Sequence, residues 1–180
     1  MNAKSKLGAA STGSYLVLAG GESSGYVSNT YVEGISTSWV KHIGSFSIQE
    51  GKTFLDGTNV GEYAIFGGGN ISSGTGTKGT KTVDAFNNSL TYYKCTDLSY
   101  AHAYPAVFNV GYYAIITGGG YAYTEVYNNS LTKLSTITLP EALSNPKACS
   151  FGNIAVFGGG ISGSGNYPSS SYVIDNTLTC

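Results

Sequence analysis

The sequence predicts an all-β protein assembled from four copies of a small antiparallel sheet, and three observations predict it. A nine-residue pattern recurs at Gly13–Gly21, Gly61–Gly69, Gly111–Gly119 and Gly152–Gly160. Each copy is a short apolar run opened by a glycine and closed by a glycine pair, and the starts lie 48, 50 and 41 residues apart. A polar turn recurs downstream as Asn87-Asn-Ser-Leu-Thr91, Asn128-Asn-Ser-Leu-Thr132 and Asp175-Asn-Thr-Leu-Thr179. No window sustains a helical period: glycine interrupts nearly all of them, and Pro140 and Pro146 break the longest remaining one. Strand character repeated every roughly 40 to 50 residues points to a β-propeller or related array.

The third repeat shows the elements most clearly. Residues 103–109 read as a first strand, and Val110-Gly111 as a turn. Tyr112 to Thr117 is almost continuously apolar, as expected of a strand buried on both faces. The glycines that follow permit positive φ and end the strand sharply. Thr124 to Tyr127 reads as a third strand, Asn128-Asn129-Ser130 as turn chemistry, and Leu131 to Ile137 as a fourth strand. Four short antiparallel strands make one propeller blade. In the first repeat the turn is expected at Glu33-Gly-Ile-Ser-Thr37, a degenerate copy followed by Trp39. The whole chain reads as one domain, residues 1–180, with approximate repeats 1–48, 49–98, 99–139 and 140–180.

Composition narrows the functional classes. Only 11% of the 180 residues are charged and the formal net charge is −1, which offers nothing to attract nucleic acid or an anionic membrane. No apolar run approaches the ~18 residues needed to cross a bilayer. Met1-Asn-Ala-Lys-Ser-Lys6 has the charge of a signal-peptide start, but the apolar run Tyr15–Ala19 is too short for its core. The sequence thus reads as lacking a secretion signal, with a virion or the cytoplasm as the expected location. Cys95, Cys149 and Cys180 are odd in number and widely spaced, so they read as free thiols without a metal site.

A search for chemistry finds no reactive constellation. His42 reads as part of an outer strand, and the acidic residues are spread singly along the chain. Residues 161–165 lack the nucleophile-elbow pattern, and Gly74-Thr-Gly-Thr-Lys-Gly79 lacks the order and following helix of a phosphate loop. No catalytic residue, metal or cofactor is expected.

A strand closed by Gly-Gly, a variable loop, a strand, a polar turn and an aromatic-bearing strand resembles the Kelch repeat. The unit is most similar to the Gly-rich Kelch-like arrays of phage tail, virion-associated and bacterial surface proteins. The resemblance rests on Val83-Asp-Ala-Phe86 and Asn109-Val-Gly-Tyr-Tyr-Ala114 and covers nearly the whole chain. Those arrays carry an arginine nine residues before the first glycine of the strand. Here that place holds Lys4, Lys52, His102 and Leu143, so the last copy departs from the pattern. The resemblance implies that the first strand of each blade lies nearest the axis. Lys4, Lys52 and His102 are then candidates to line the channel, or to tie each blade to its neighbour through backbone carbonyls.

The ends do not match. Twelve positions separate Leu90 from His102 and Leu131 from Leu143, but only six join Leu178 to Lys4 through the termini. The fourth blade is therefore expected to lack most of its outer strand. The chain reads as a closed four-bladed ring, or as a partial ring completed by another copy or by further sequence. A homo-oligomer is one expectation, since an open ring exposes strand edges.

Recognition is the remaining function. The loops after the glycine pairs are the most variable segments, and loops on a rigid scaffold are where binding resides. They carry Tyr26, Tyr121, Tyr123 and Tyr167, whose rings offer rigid apolar area with a hydroxyl. The reading is a non-catalytic module that binds protein or glycan, as a virion, tail or surface component. The alternatives are a structural protein that assembles through blade edges and a carbohydrate-active enzyme of the Kelch type.

Overall fold

The computed structural model describes residues 4–24, 27–73 and 76–180. It is all-β, with no helix among those residues, and its four small sheets are arranged as a four-bladed β-propeller.

Blade 1 contains β1 (Ser5–Ser11), β2 (Tyr15–Ser23), β3 (Val27–Ser28), β4 (Tyr31–Ser36) and β5 (Lys41–Ser47), ordered β1-β2-β4-β5 with β3 on the end of β2. Blade 2 is built of β6 (Asp56–Val60), β7 (Tyr63–Gly67), β10 (Val83–Phe86) and β11 (Tyr92–Lys94), while β8 (Asn70–Ser73) and β9 (Gly76–Gly79) form a separate hairpin after the glycine pair. Blade 3 runs β12 (Pro105–Val110), β13 (Tyr113–Gly118), β14 (Tyr121–Asn128) and β15 (Ile137–Ser144). Blade 4 has three strands, β16 (Lys147–Phe151), β17 (Ile154–Gly158) and β19 (Ser171–Asp175); its short β18 (Ile161–Ser162) pairs back to β15.

The repeated glycines act where backbone geometry needs them. Gly61, Gly111 and Gly152 open two-residue hairpins at φ of 55–59°, and the residue after each is not at positive φ, as in a type II′ turn. The paired glycines after each second strand lie at φ of 60–101°. A Cβ on Gly20 or Gly68 would lie within 3 Å of a backbone atom of the next repeat's arm. Three of these glycine segments bond forward: Gly21 N donates to Lys52 O at 2.8 Å, Gly69 N to His102 O at 2.9 Å and Gly120 N to Leu143 O at 2.8 Å.

Two sequence expectations are corrected. The outer strand of blade 3 is Ile137–Ser144, not Leu131–Ile137. Leu131 takes φ of 59° to finish its turn, which turns the chain out of extended conformation. The pairing of β15 with β14 shifts register between Tyr121 and Tyr123, and Pro140, which has no N–H to give, falls in that irregular stretch. In blade 1 the turn comes three residues later than expected, at Ser36–Val40, and Glu33 belongs to β4. Trp39 N donates to Ser36 O just as Leu90, Leu131 and Leu178 donate to Asn87, Asn128 and Asp175. Trp39, Leu90, Leu131 and Leu178 all sit at φ of 56–63°, a conformation rare for bulky side chains.

The core is divided among the junctions between blades. Val17, Ala19 and Val32 of blade 1 pack on Ala64, Phe66 and Phe86 of blade 2. Ile65 and Ala85 of blade 2 pack on Val107, Ala114, Ile116 and Tyr127 of blade 3. Phe108, Ile115 and Val126 of blade 3 pack on Ala155, Phe157 and Ile174 of blade 4. Among the described residues, no comparable packing joins blade 4 to blade 1.

Candidate functional site

Antiparallel order puts the start of each first strand, the end of each second and the start of each third on one end of the blade. The arms leading into the blades and the loops after the glycine pairs therefore emerge on one face of the propeller. The glycine hairpins and the Asn turns emerge on the other.

Lys6, Phe54, Tyr104 and Asn145 occupy one equivalent place, two residues before the residue that pairs with Ala19, Gly67, Thr117 and Gly158 respectively. All four sit at positive φ, between 51° and 60°. They meet around a cavity of about 290 Å³ that Leu7, Leu55, Asp56, Pro105 and Lys147 also line. The Phe54 and Tyr104 rings lie 4.7 Å apart, and the Lys6 ammonium sits 4.8 Å from the centre of the Phe54 ring and 2.5 Å from Glu22 Oε1. Asp56 accepts from the Val107 amide at 2.9 Å and from its neighbour Gly57; burial, the largest influence, holds its carboxyl above the usual aspartate range. The place thus offers two rings, two cations, a carboxylate and an amide to one small volume.

Two positions upstream lie the residues singled out by the sequence pattern. Lys4 stands with its ammonium 4.1 Å from the Tyr31 ring centre. Lys52 is fully buried: its Nζ lies 2.7 Å from Asp84 Oδ2 and donates to Thr82 O at 3.2 Å and Thr82 Oγ1 at 2.8 Å. Glu50 accepts from the hydroxyls of Thr82 and Thr80. Asp84 Oδ1 accepts from Tyr92 OH at 3.0 Å and the Gln49 amide at 2.9 Å. His102 is likewise fully buried, and its Nδ1 is 2.8 Å from Gly118 O, which fixes the proton on Nδ1 because a carbonyl only accepts. Burial holds its pKa below the ordinary histidine value, so the ring is neutral at pH 7.

Asp84 has counterparts that chain spacing hides. Glu33, Asp84 and Glu125 lie opposite Leu18, Phe66 and Ile116 on the second strands, all three are buried, and each meets a lysine: Lys41 at 2.9 Å, Lys52 at 2.7 Å and Lys133 at 2.9 Å. Glu33 also accepts from Tyr31 OH; that bond, then the one to Lys41, holds its carboxyl low. In blade 4 the place is taken by Tyr172, whose hydroxyl donates to Glu141 at 2.7 Å. The signal was available: each acid stands three residues before its polar turn, at Ser36, Asn87 and Asn128. These carboxylates are committed to structural bonds.

Of the loop tyrosines, Tyr121 and Tyr123 come together with a third ring, Tyr100. Tyr100 stacks on Tyr123 at 4.7 Å with planes 8° apart and lies 5.0 Å from Tyr121, which in turn lies 5.6 Å from the His102 ring. Tyr123 and Tyr100 are both partly open to solvent. Tyr167 is exposed on the fourth loop, away from this cluster in the chain, and Tyr26 lies outside the described residues. Cys95 is buried, which pushes its thiol up to about 12, whereas Cys149 and Cys180 are exposed free cysteines. No group of three or more metal-ligating side chains occurs among the described residues.

No family model matches the sequence, and no curated protein matches it. By structure, 148 solved chains match; one, described as "Structure of YjhT", superposes with a TM-score of 0.74 at 11% identity. It covers 99% of this chain and 64% of its own, so the present chain spans a little under two thirds of that protein's length. At such identity the likeness carries the architecture alone.

Proposed function

We propose that this chain is a non-catalytic binding module of Kelch-like repeats that recognises a glycan or protein on the face carrying its blade arms and post-glycine loops. One observation carries the reading. Lys6, Phe54, Tyr104 and Asn145, none of them glycine, are held at positive φ around one cavity. Each such residue costs about 1–3 kcal/mol, and backbone strain of this kind concentrates at functional sites.

The chemistry of the place suits a hydroxyl-rich ligand. Phe54 and Tyr104 offer ring area for an apolar sugar face or a side chain, and Lys6, Asp56 and Asn145 offer donors and acceptors at its edge. The stacked Tyr100–Tyr123 pair lies on the same propeller face and extends the aromatic surface. The likeness of the repeat unit to phage tail and bacterial surface arrays supports a role on a virion or cell surface.

A glycan array followed by calorimetry on the best hit tests the reading. Tyr104→Ala is expected to weaken binding at least ten-fold, and Tyr123→Ala to weaken it less. Tyr112→Ala, in a hairpin on the opposite face, is expected to leave it unchanged. Binding that survives Tyr104→Ala, in a variant with the circular dichroism of the wild type, would remove this cavity from the proposal.

A further inference from the structure

Among the described residues three apolar cores join the four blades, which leaves one face of blade 4 and one face of blade 1 without a neighbour. We propose that these two faces are made for each other, and that two copies of the chain join head to tail into a single ring.

The free face of blade 4 repeats a pattern that is buried elsewhere. Val156 stands where Val17, Ile65 and Ile115 stand in the second strands of the other blades, and Phe151 where Val60 and Val110 stand in the first strands. Those earlier residues are all closed from solvent, whereas Phe151 is 90% exposed and Val156 is exposed beside Val173. A groove of about 480 Å³ runs along this face past Cys149 and Val156. The free face of blade 1 is of the opposite kind. Leu16 and Leu18 take the places of Ala64 and Phe66, Ala114 and Ile116, and Ala155 and Phe157, which are the residues each later blade turns toward the one before it. Leu16 and Ile43 are exposed there.

The backbone makes the same statement. Gly21 and Gly69 each donate to a carbonyl on the next blade's arm, at Lys52 and His102, and Gly120 donates to Leu143 O on the outer strand that leads into blade 4. A last donor and a matching acceptor also exist. Gly160 sits at φ of 82°, in the same left-handed conformation as Gly21 and Gly69, and Lys4 holds the place of Lys52 and His102. They are not bonded to each other within the chain. In the paired arrangement Gly160 of one copy meets Lys4 of the other, twice. Both halves of the contact lie on one molecule, so the association is heterologous, and such a contact either closes or grows. Two copies supply eight blades, at the upper end of the usual four to eight, while three copies exceed it.

Light scattering on the full chain, from nanomolar to high micromolar concentration, is the test. The expected mass is twice 18.7 kDa. Val156→Lys alone and Leu16→Lys alone should each reduce it to one copy with unchanged far-ultraviolet circular dichroism, since both residues are exposed in the single chain. Val156→Lys combined with Leu16→Glu in the same chain should restore the pair. A wild type that stays at 18.7 kDa throughout, or a dimer indifferent to both single variants, overturns the proposal. Growth beyond two copies overturns the closed ring.

Discussion

Blades 2 and 4 carry nearly the same nine-residue strand yet live in different surroundings. In blade 2, Ala64 through Gly67 are buried without interruption, Ala64 and Phe66 against blade 1 and Ile65 against blade 3. In blade 4, Ala155 and Phe157 are buried while Ile154 and Val156 between them face solvent. The alternation is that of a sheet covered on one side only. Local sequence therefore sets the strand, its glycine hairpin and its glycine exit, while burial is set by the number of neighbouring blades. Interior blades also hold charges that end blades keep near water: the Lys52–Asp84 pair is closed from solvent, whereas Lys41, partner of Glu33 in blade 1, is largely open.

That contrast predicts its own largest effect. Lys52→Ala strands the Asp84 carboxylate in the interior, and breaking a buried pair from one side costs about 3–5 kcal/mol. Lys41→Ala removes a pair of similar length, 2.9 Å, whose lysine is largely open; Glu33 is closed from solvent but keeps its bond from Tyr31 OH, so the loss should be smaller than at Lys52. Urea unfolding of the two variants side by side reads the difference as a shift in midpoint at constant slope. The double variant Lys52→Met with Asp84→Leu should recover much of the loss, because it leaves no charge behind. Equal midpoints for Lys52→Ala and Lys41→Ala would mean that blade position does not govern these pairs.

Next in size is a pH effect confined to the interior. His102 is neutral in the folded chain because burial, the dominant influence, lowers its pKa, and the proton on Nδ1 goes to Gly118 O. The unfolded chain titrates near the ordinary value of 6.5. Below that pH the unfolded state binds a proton that the folded state refuses, so stability falls as pH drops from about 6.5 toward the lower folded pKa. Above it the two states bind equally and this contribution is flat. His102→Gln should remove that slope between pH 7 and 5, whatever its constant cost, in thermal melts run across the range.

Much of this layout was legible in the sequence. The nonapeptides located β2, β7, β13 and β17, and the polar turns located the ends of β10, β14 and β19. What escaped has physical causes. Backbone strain at Lys6, Phe54 and Tyr104 leaves no mark in residue type, since left-handed conformation is ordinarily read from glycine or asparagine, a cue that only Asn145 of the four carries. The acids Glu33, Asp84 and Glu125 looked scattered because the post-glycine loops differ in length, although each keeps a fixed distance to its turn. The outer strand of blade 3 was misplaced because its β-branched residues at 136–138 lead into a strand that continues through Pro140, which pattern reading treats as a stop. The first turn was misread because Ser36-Thr-Ser-Trp39 lacks asparagine, and only the hydrogen bonds show its kinship.

The smallest expected effect concerns those turns, and it separates end from interior again. Trp39 and Leu90 occupy the same turn position at φ of 63° and 56°. A left-handed residue with a side chain costs roughly 1–2 kcal/mol over glycine. At Trp39 the side chain is 84% exposed, so little packing is lost by its removal. Trp39→Gly should then raise stability by up to about 1 kcal/mol, once the entropy that glycine adds to the unfolded chain is subtracted. Leu90 is only 5% exposed and fills the core between blades 1 and 2, where its Cδ1 would lie 2.6 Å from a Cβ placed on Gly34. Leu90→Gly gains the same relief but empties that space, and large-to-small changes in a core cost about 2–5 kcal/mol. The net change should be destabilising by a kilocalorie or more per mole. Opposite signs in matched denaturation curves would show that the turn is strained in both places, and that interior packing is what holds a leucine there. Two changes of the same sign would show that packing, not the left-handed backbone, governs both positions.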